Sequence, residues 1–346
     1  MKKLILIMPV FFIASIALAQ NTATTSQNGN GNDANISQTG NNSATITQIE
    51  NNNLASIQQI GENASIVSQT SNGGNNTATV TQNGFGNEAF LSQIGNGSGA
   101  NTTQTQLGDN NTTSATTGDN NVTVQYQEGN DNNIFLGQGL IQNSTVSQTQ
   151  IGNDNNASIS VAGPGTRSIA VSQIQVGDNN NSEILNIRGN GGPVWIDQFG
   201  HDNNAVVAYT SNAQRNEFQL TQDGNENELL VNFQGAKDGF VMAHQLGEFN
   251  AGTFVQIGDE HIAKLNQAGD YNEASFTQSG LGNEGRITQN GDYNVASMVA
   301  NGTANIGTIL QSGNGNVATM IQNGSGNMAT ITQTGGMNVA ITTQGN

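Results

Sequence analysis

Glutamine recurs every 11 residues through the last third of the chain, and this period limits the possible folds more than any other feature. Gln245, Gln256, Gln267, Gln278 and Gln289 are followed by Ala300 in the next place, then by Gln311, Gln322, Gln333 and Gln344. Two residues after each marker before the last stands a glycine, from Gly247 to Gly335. Five residues after it stands Asn250, Asn272, Asn283, Asn294, Asn305, Asn316, Asn327 or Asn338, with His261 as the one exception. The unit reads Q-x-G-x-x-N-x-A-x-(I/F/M)-x. Asn, Ala, the large apolar residue and the next Gln alternate with Ser, Thr, Val or Glu, which is the period of a half-buried strand. The residues around the glycine are left for a tight turn, where Gly and Asn tolerate positive φ. Such short segments cannot each bury a core and must stack on one another. The predicted fold class is all-β, a parallel β-solenoid.

The large apolar position indicates how many strands make one coil. Taken alternately it gives Phe254, Phe276, Met298 and Met320 in one column and Leu265, Ile287, Ile309 and Ile331 in the other. The columns separate by type at a spacing of 22 and mix at 33. Gly285 and Gly307, and the Gly-Asp-Tyr-Asn turns at 269–272 and 291–294, also repeat at 22. Two strands per coil are therefore expected, with a three-sided coil as the alternative. The inward column residues form the core, and Gln and Asn at the strand ends hydrogen-bond in ladders along the axis, as in cross-β stacks. Turn capping would use the same amides.

Residues 20–117 carry the unit with looser spacing, beginning at Gln27-Asn28-Gly29, and residues 118–244 carry degenerate copies such as Asn155-Asn156-Ala157-Ser158-Ile159. Residues 245–346 form the regular array. Gly163-Pro164-Gly165 and Gly191-Gly192-Pro193 read as insertions looping off the stack, because Pro cannot serve an inner strand. At about 22 residues per coil and ~4.8 Å per strand, the mature chain makes roughly 14 coils.

Residues 1–19 have the layout of a secretory signal peptide: Lys2 and Lys3, an apolar run to Ile16, and a small-x-small site at Ala17-Leu18-Ala19. The run is too short for a membrane anchor. With 8 Lys and Arg against 25 Asp and Glu, the net charge is −17, which excludes nucleic acid as a partner. Charged residues make up 10% of the chain, against about 25% in ordinary globular domains, so an α/β or helical enzyme is not expected. No Cys is present, so disulfides and a lipid-modified cysteine are excluded.

No catalytic, cofactor-binding or metal site is expected. His201 falls in a turn, His244 at an outward position and His261 in the place of a ladder Asn, and no nucleophile motif accompanies the many Ser and Thr. A polysaccharide-degrading β-helix would need an acidic cleft with basic partners. Asp270 and Asp292 would stack one coil apart, either as solvated turns, or as close like charges that raise a carboxylate pKa and make assembly quicken at lower pH, or invite a cation such as Ca²⁺. Outward Thr45/Thr47, Thr79/Thr81 and Thr330/Thr332 raise an ice-binding or monomeric adhesin alternative, but Ser158/Ser160, Arg286/Thr288 and Ser297/Val299 interrupt the array. The last unit finishes at Gln344 with no charged helix or Pro-rich segment after it, so a docking edge that propagates head to tail is expected there.

The unit resembles the curlin repeat of bacterial curli fibre subunits, most clearly in Gln311-Ser312-Gly313-Asn314-Gly315-Asn316-Val317-Ala318 and Gln322-Asn323-Gly324-Ser325-Gly326-Asn327-Met328-Ala329. The resemblance implies a secreted, non-enzymatic subunit of an extracellular or cell-surface amyloid fibre of a Gram-negative-type bacterium, acting in biofilm matrix and adhesion. It implies as partners other copies of itself, related fibre or nucleator subunits, and an outer-membrane export machinery. The chain has many more repeats than a typical major subunit.

Overall fold

The computed structural model describes residues 20–70, 73–95, 99–137, 142–161, 168–187, 192–210 and 215–345. The expected leader and the Gly163-Pro164-Gly165 insertion lie outside these residues. Every regular element among those described is a strand, from β1 (Thr22–Asn28) to β27 (Val339–Gly345).

The chain lays strands alternately into two facing sheets. β1 pairs with β3 (Ser43–Ile49), while β2 (Asp33–Gly40) pairs with the first half of β4 (Leu54–Gln69). β4 and β5 (Thr77–Gln93) run through the corner, so each gives one segment to both sheets. β6 (Asn101–Leu107) continues the second sheet and β7 (Thr112–Thr117) the first, and from there consecutive strands alternate to β27. All pairing is parallel. The protein is a parallel β-solenoid with two strands per coil.

The side chains show why the coil has two sides. Phe254 pairs with Phe276, Phe276 with Met298 and Met298 with Met320, while Leu265, Ile287, Ile309 and Ile331 stack in the opposite sheet. Each partner lies 22 residues on, which removes the three-sided alternative. The sheets are staggered by half a coil: a Cβ on Gly285 would meet Phe276 at 3.0 Å and Met298 at 2.8 Å, one strand behind it and one ahead. Gly285 and Gly307 thus make room for the Phe and Met column. Coil length is constant at 22 in this region, but paired residues nearer the N-terminus lie 21 to 25 apart.

The turns are fixed by their first glycine. Gly302 has φ +116, and a Cβ there would lie 1.9 Å from the carbonyl oxygen of Gly324 in the next coil. Glycine at this place lets the turns stack at strand spacing without that clash.

Pro193 corrects one expectation. It does not loop away; it stands at the head of the strand Val194–Phe199, and its carbonyl accepts the Phe218 N–H at 3.3 Å. At a strand's first residue Pro costs the ladder no donor.

The apolar core forms two clusters, one from Ala44 to Leu91 and one from Leu136 to Ile331. Between them the buried inward residues are mostly polar, among them Gln104, Thr113, Thr123 and Gln125.

Candidate functional site: the coil faces and their amide ladders

The residues that repeat along the axis meet at the ends of the strands. In the second sheet Gln245, Gln267, Gln289, Gln311 and Gln333 form one column, each side-chain Nε2 donating to the Oε1 of the next at 2.8 to 3.0 Å. In the first sheet Gln256 bonds Gln278 and Gln322 bonds Gln344, with Ala300 breaking the column between them. In this column two Oε1 atoms are left without a partner among the described residues, Gln256 beyond Phe233 and Gln322 beyond Ala300.

Each of these amides also crosses the core. Gln267, Gln278, Gln289, Gln311, Gln322 and Gln333 all donate to the backbone carbonyl 16 residues earlier, in the opposite sheet. The glutamine therefore joins successive coils and also ties the two sheets together. A buried amide is costly unless paired, and here the pairing is nearly complete.

The asparagines run the other way. Oδ1 of Asn250 accepts both the backbone N–H and the Nδ2 of Asn272, and the pattern repeats through Asn294, Asn316 and Asn338. On the other edge Asn283, Asn305 and Asn327 do the same. Glutamine donors thus point toward the C-terminal face of every coil, and asparagine acceptors point toward that same face.

His261 occupies the Asn position. Its ring is buried, Nδ1 accepts the Asn283 N–H at 3.2 Å, and Nε2 lies 3.0 Å from the Ile257 carbonyl. Burial pushes its pKa down, opposed by the bond to Ile257 and the charge of Asp259. His244 is exposed, and the turn residue His201 lies 3.5 Å from Asp178. Asp292 Oδ1 accepts the Asp270 N–H and Asp270 Oδ1 accepts the Glu248 N–H, so both carboxylates cap turns. The core residues Phe254, Leu265, Phe276, Ile287, Met298, Ile309, Met320 and Ile331 are all buried, and Phe254 stacks on Phe276 at 5.0 Å.

The structure contains three arrays that sequence reasoning missed. Gln104, Gln125, Gln148 and Gln173 form a second buried glutamine ladder where the apolar column would stand. Its signal was the doublet Gln-x-Gln at 104/106, 125/127, 148/150 and 173/175. Asn133, Asn156, Asn181 and Asn204 form an outward ladder. Phe249, Tyr271 and Tyr293 stack on the surface at 4.6 and 4.9 Å. The outward Thr79/Thr81 pair does sit on Thr103/Thr105, but Ser56/Gln58 and Val124/Tyr126 flank it, so that array is two coils tall.

Along the described residues the groups that repeat are side-chain amides, each bonded to its equivalent one coil away. A search of curated proteins found no match to the chain. A family model, the curlin associated repeat, matches residues 73–105 and 302–335, which lie in the β5–β6 region and in the regular array respectively. The protein is a parallel β-solenoid in which two segments match the curlin associated repeat.

Proposed function

We propose that the protein is a secreted structural subunit of a curli-like extracellular fibre, with copies stacked head to tail and no catalytic role. The fibre would serve in biofilm matrix and surface adhesion, with related fibre or nucleator subunits and an outer-membrane export machinery as partners. The observation that carries this reading is the opposed direction of the two ladders. A C-terminal coil face offers Gln donors and Asn acceptors, and an N-terminal face offers Gln acceptors and Asn donors. With like columns in register, Gln on Gln and Asn on Asn, two copies therefore match head to tail, whereas the same columns head to head set donor against donor and acceptor against acceptor. Contact of this type does not close and so propagates.

The region from Gln245 onward, with its constant 22-residue coil, is the part most competent to form fibres. The purified mature chain should bind thioflavin and give fibre reflections at about 4.8 and ~10 Å. A chain that stays monomeric by light scattering under those conditions sinks the reading. If the full chain polymerises but residues 245–346 remain soluble and dye-negative, the assignment to the C-terminal array fails while the fibre reading stands.

A further inference from the structure

The turns leading into the first-sheet strands hold one residue in the left-handed conformation in coil after coil. Through the middle of the chain that residue is Asn110, Asp131, Asp154, Asn179 or Asp202, types that accept positive φ. After Glu226 (φ 54) it becomes Phe249 (φ 57), Tyr271 (φ 58) and Tyr293 (φ 59), followed by Gly315 and Met337. Bulky side chains seldom adopt this conformation, so three rings in successive coils run against local preference. They stack nearly parallel, Tyr271 on Tyr293 with an interplanar angle of 2°.

The stack stops at Tyr293 because Gly315 supplies no ring. Only Met337 Cγ, at 3.7 Å, comes within 4 Å of the place a Gly315 Cβ would occupy. One rung of the ladder is therefore vacant, with the face of Tyr293 on one side and Met337 on the other. Tyr293 is 60% exposed against 45% for Tyr271, which has rings on both faces. Beside the gap, Asp292 Oδ2 has a single contact with Asn314 Nδ2 at 3.3 Å. Glu248 and Asp270 hold the place of Asp292 beside the two preceding rings, so this edge of the stack is acidic.

We propose that the vacant rung over Gly315 binds a planar cation, a guanidinium or an amidinium-bearing ring, between Tyr293 and the Met337 thioether with Asp292 as its counter-charge. A plane at the next rung sits at the stacking distance already taken by Tyr271 and Tyr293, 4.9 Å between centroids. A cation over an open tyrosine face gains from the ring quadrupole, and a chain of net charge −17 concentrates cations around it. The slot lies within one chain and does not depend on assembly.

Benzamidine is the probe, read by saturation-transfer NMR on the full chain. The wild type should transfer saturation to benzamidine about tenfold more strongly than to neutral benzamide. Gly315→Tyr completes the stack with a φ that Tyr271 and Tyr293 already adopt, and it should abolish the transfer, as should Tyr293→Ala. Gly326→Tyr, at a glycine of the opposite edge with φ +70 and open space around it, should leave the transfer intact and serves as the folding control. Absence of transfer in the wild type, undiminished transfer in Gly315→Tyr, or loss in Gly326→Tyr would each overturn the assignment.

Discussion

A glutamine at a strand end in this protein is bonded on several sides, and its replacement tests all of them at once. Gln289 donates to the Glu273 carbonyl, the Asn294 carbonyl and Gln311 Oε1, and accepts from Gln267. Gln289→Leu leaves the Gln311 oxygen buried without a donor and should destabilise the soluble monomer by about 2–4 kcal/mol in urea unfolding. Thr288→Val, on the outward side of the same strand, should change stability by less than about 0.5 kcal/mol. Equal effects of the two would deny the ladder its role. His261 gives a pH test. Burial disfavours the charged ring and depresses its pKa below the ordinary ~6.5, and the neutral ring is the form whose Nδ1 can accept the Asn283 N–H. The stability tied to this group is fully present above about pH 6.5 and is lost as pH falls toward the lowered folded value. The thermal midpoint should therefore drop on acidification, and His261→Asn, which restores the ladder residue, should flatten that dependence. An identical slope in both proteins would remove His261 as the cause.

At the scale of strands and turns, the stack depends on how closely glycines approach one another. Gly302→Ala places a methyl 1.9 Å from the Gly324 carbonyl oxygen and should disrupt the coil, lowering the urea midpoint far more than Gly326→Ala. The latter meets nothing within 4 Å and should cost about 1 kcal/mol of backbone strain. Similar midpoints for the two would mean that the turns can splay without harm. Much of this level could be read in the sequence. The Gln-x-Gly-x-x-Asn period located strand and turn, and the separate Phe/Met and Leu/Ile columns gave the two-strand coil, because inward neighbours one coil apart share a confined space. The middle of the chain was harder. There Tyr209 and Phe233 take the place of ladder glutamines in the first sheet, while Gln104 to Gln173 occupy the apolar column of the second. A pattern tuned to one glutamine column reads that exchange as degeneracy, and spacings of 21 to 25 hide its period. The surface stack of Phe249, Tyr271 and Tyr293 was hidden for another reason: its residues hold a turn position where Asn and Asp are the expected types.

For the whole molecule, the proposed stacking of copies has to overcome the charge of the chain. A net charge of −17 opposes association of like chains, and raising ionic strength from ~0.01 M to ~0.15 M shortens the screening length from about 30 to about 8 Å. The lag before thioflavin-positive assembly should shorten over that range. A lag that stays constant or lengthens would show that backbone and amide pairing, rather than repulsion, sets the rate.

The two ladders also bear on how long such a stack can grow. Each glutamine side-chain amide carries its positive end toward the C-terminal face, and each asparagine side-chain amide carries its own toward the N-terminal face. With about one of each per strand in the regular region, their dipoles oppose and largely cancel coil by coil. A column of aligned dipoles would build partial charges at its two tips, as an α-helix does. Here each added coil brings almost no net moment from these amides, so their dipoles build up no charge at the tips as the stack lengthens.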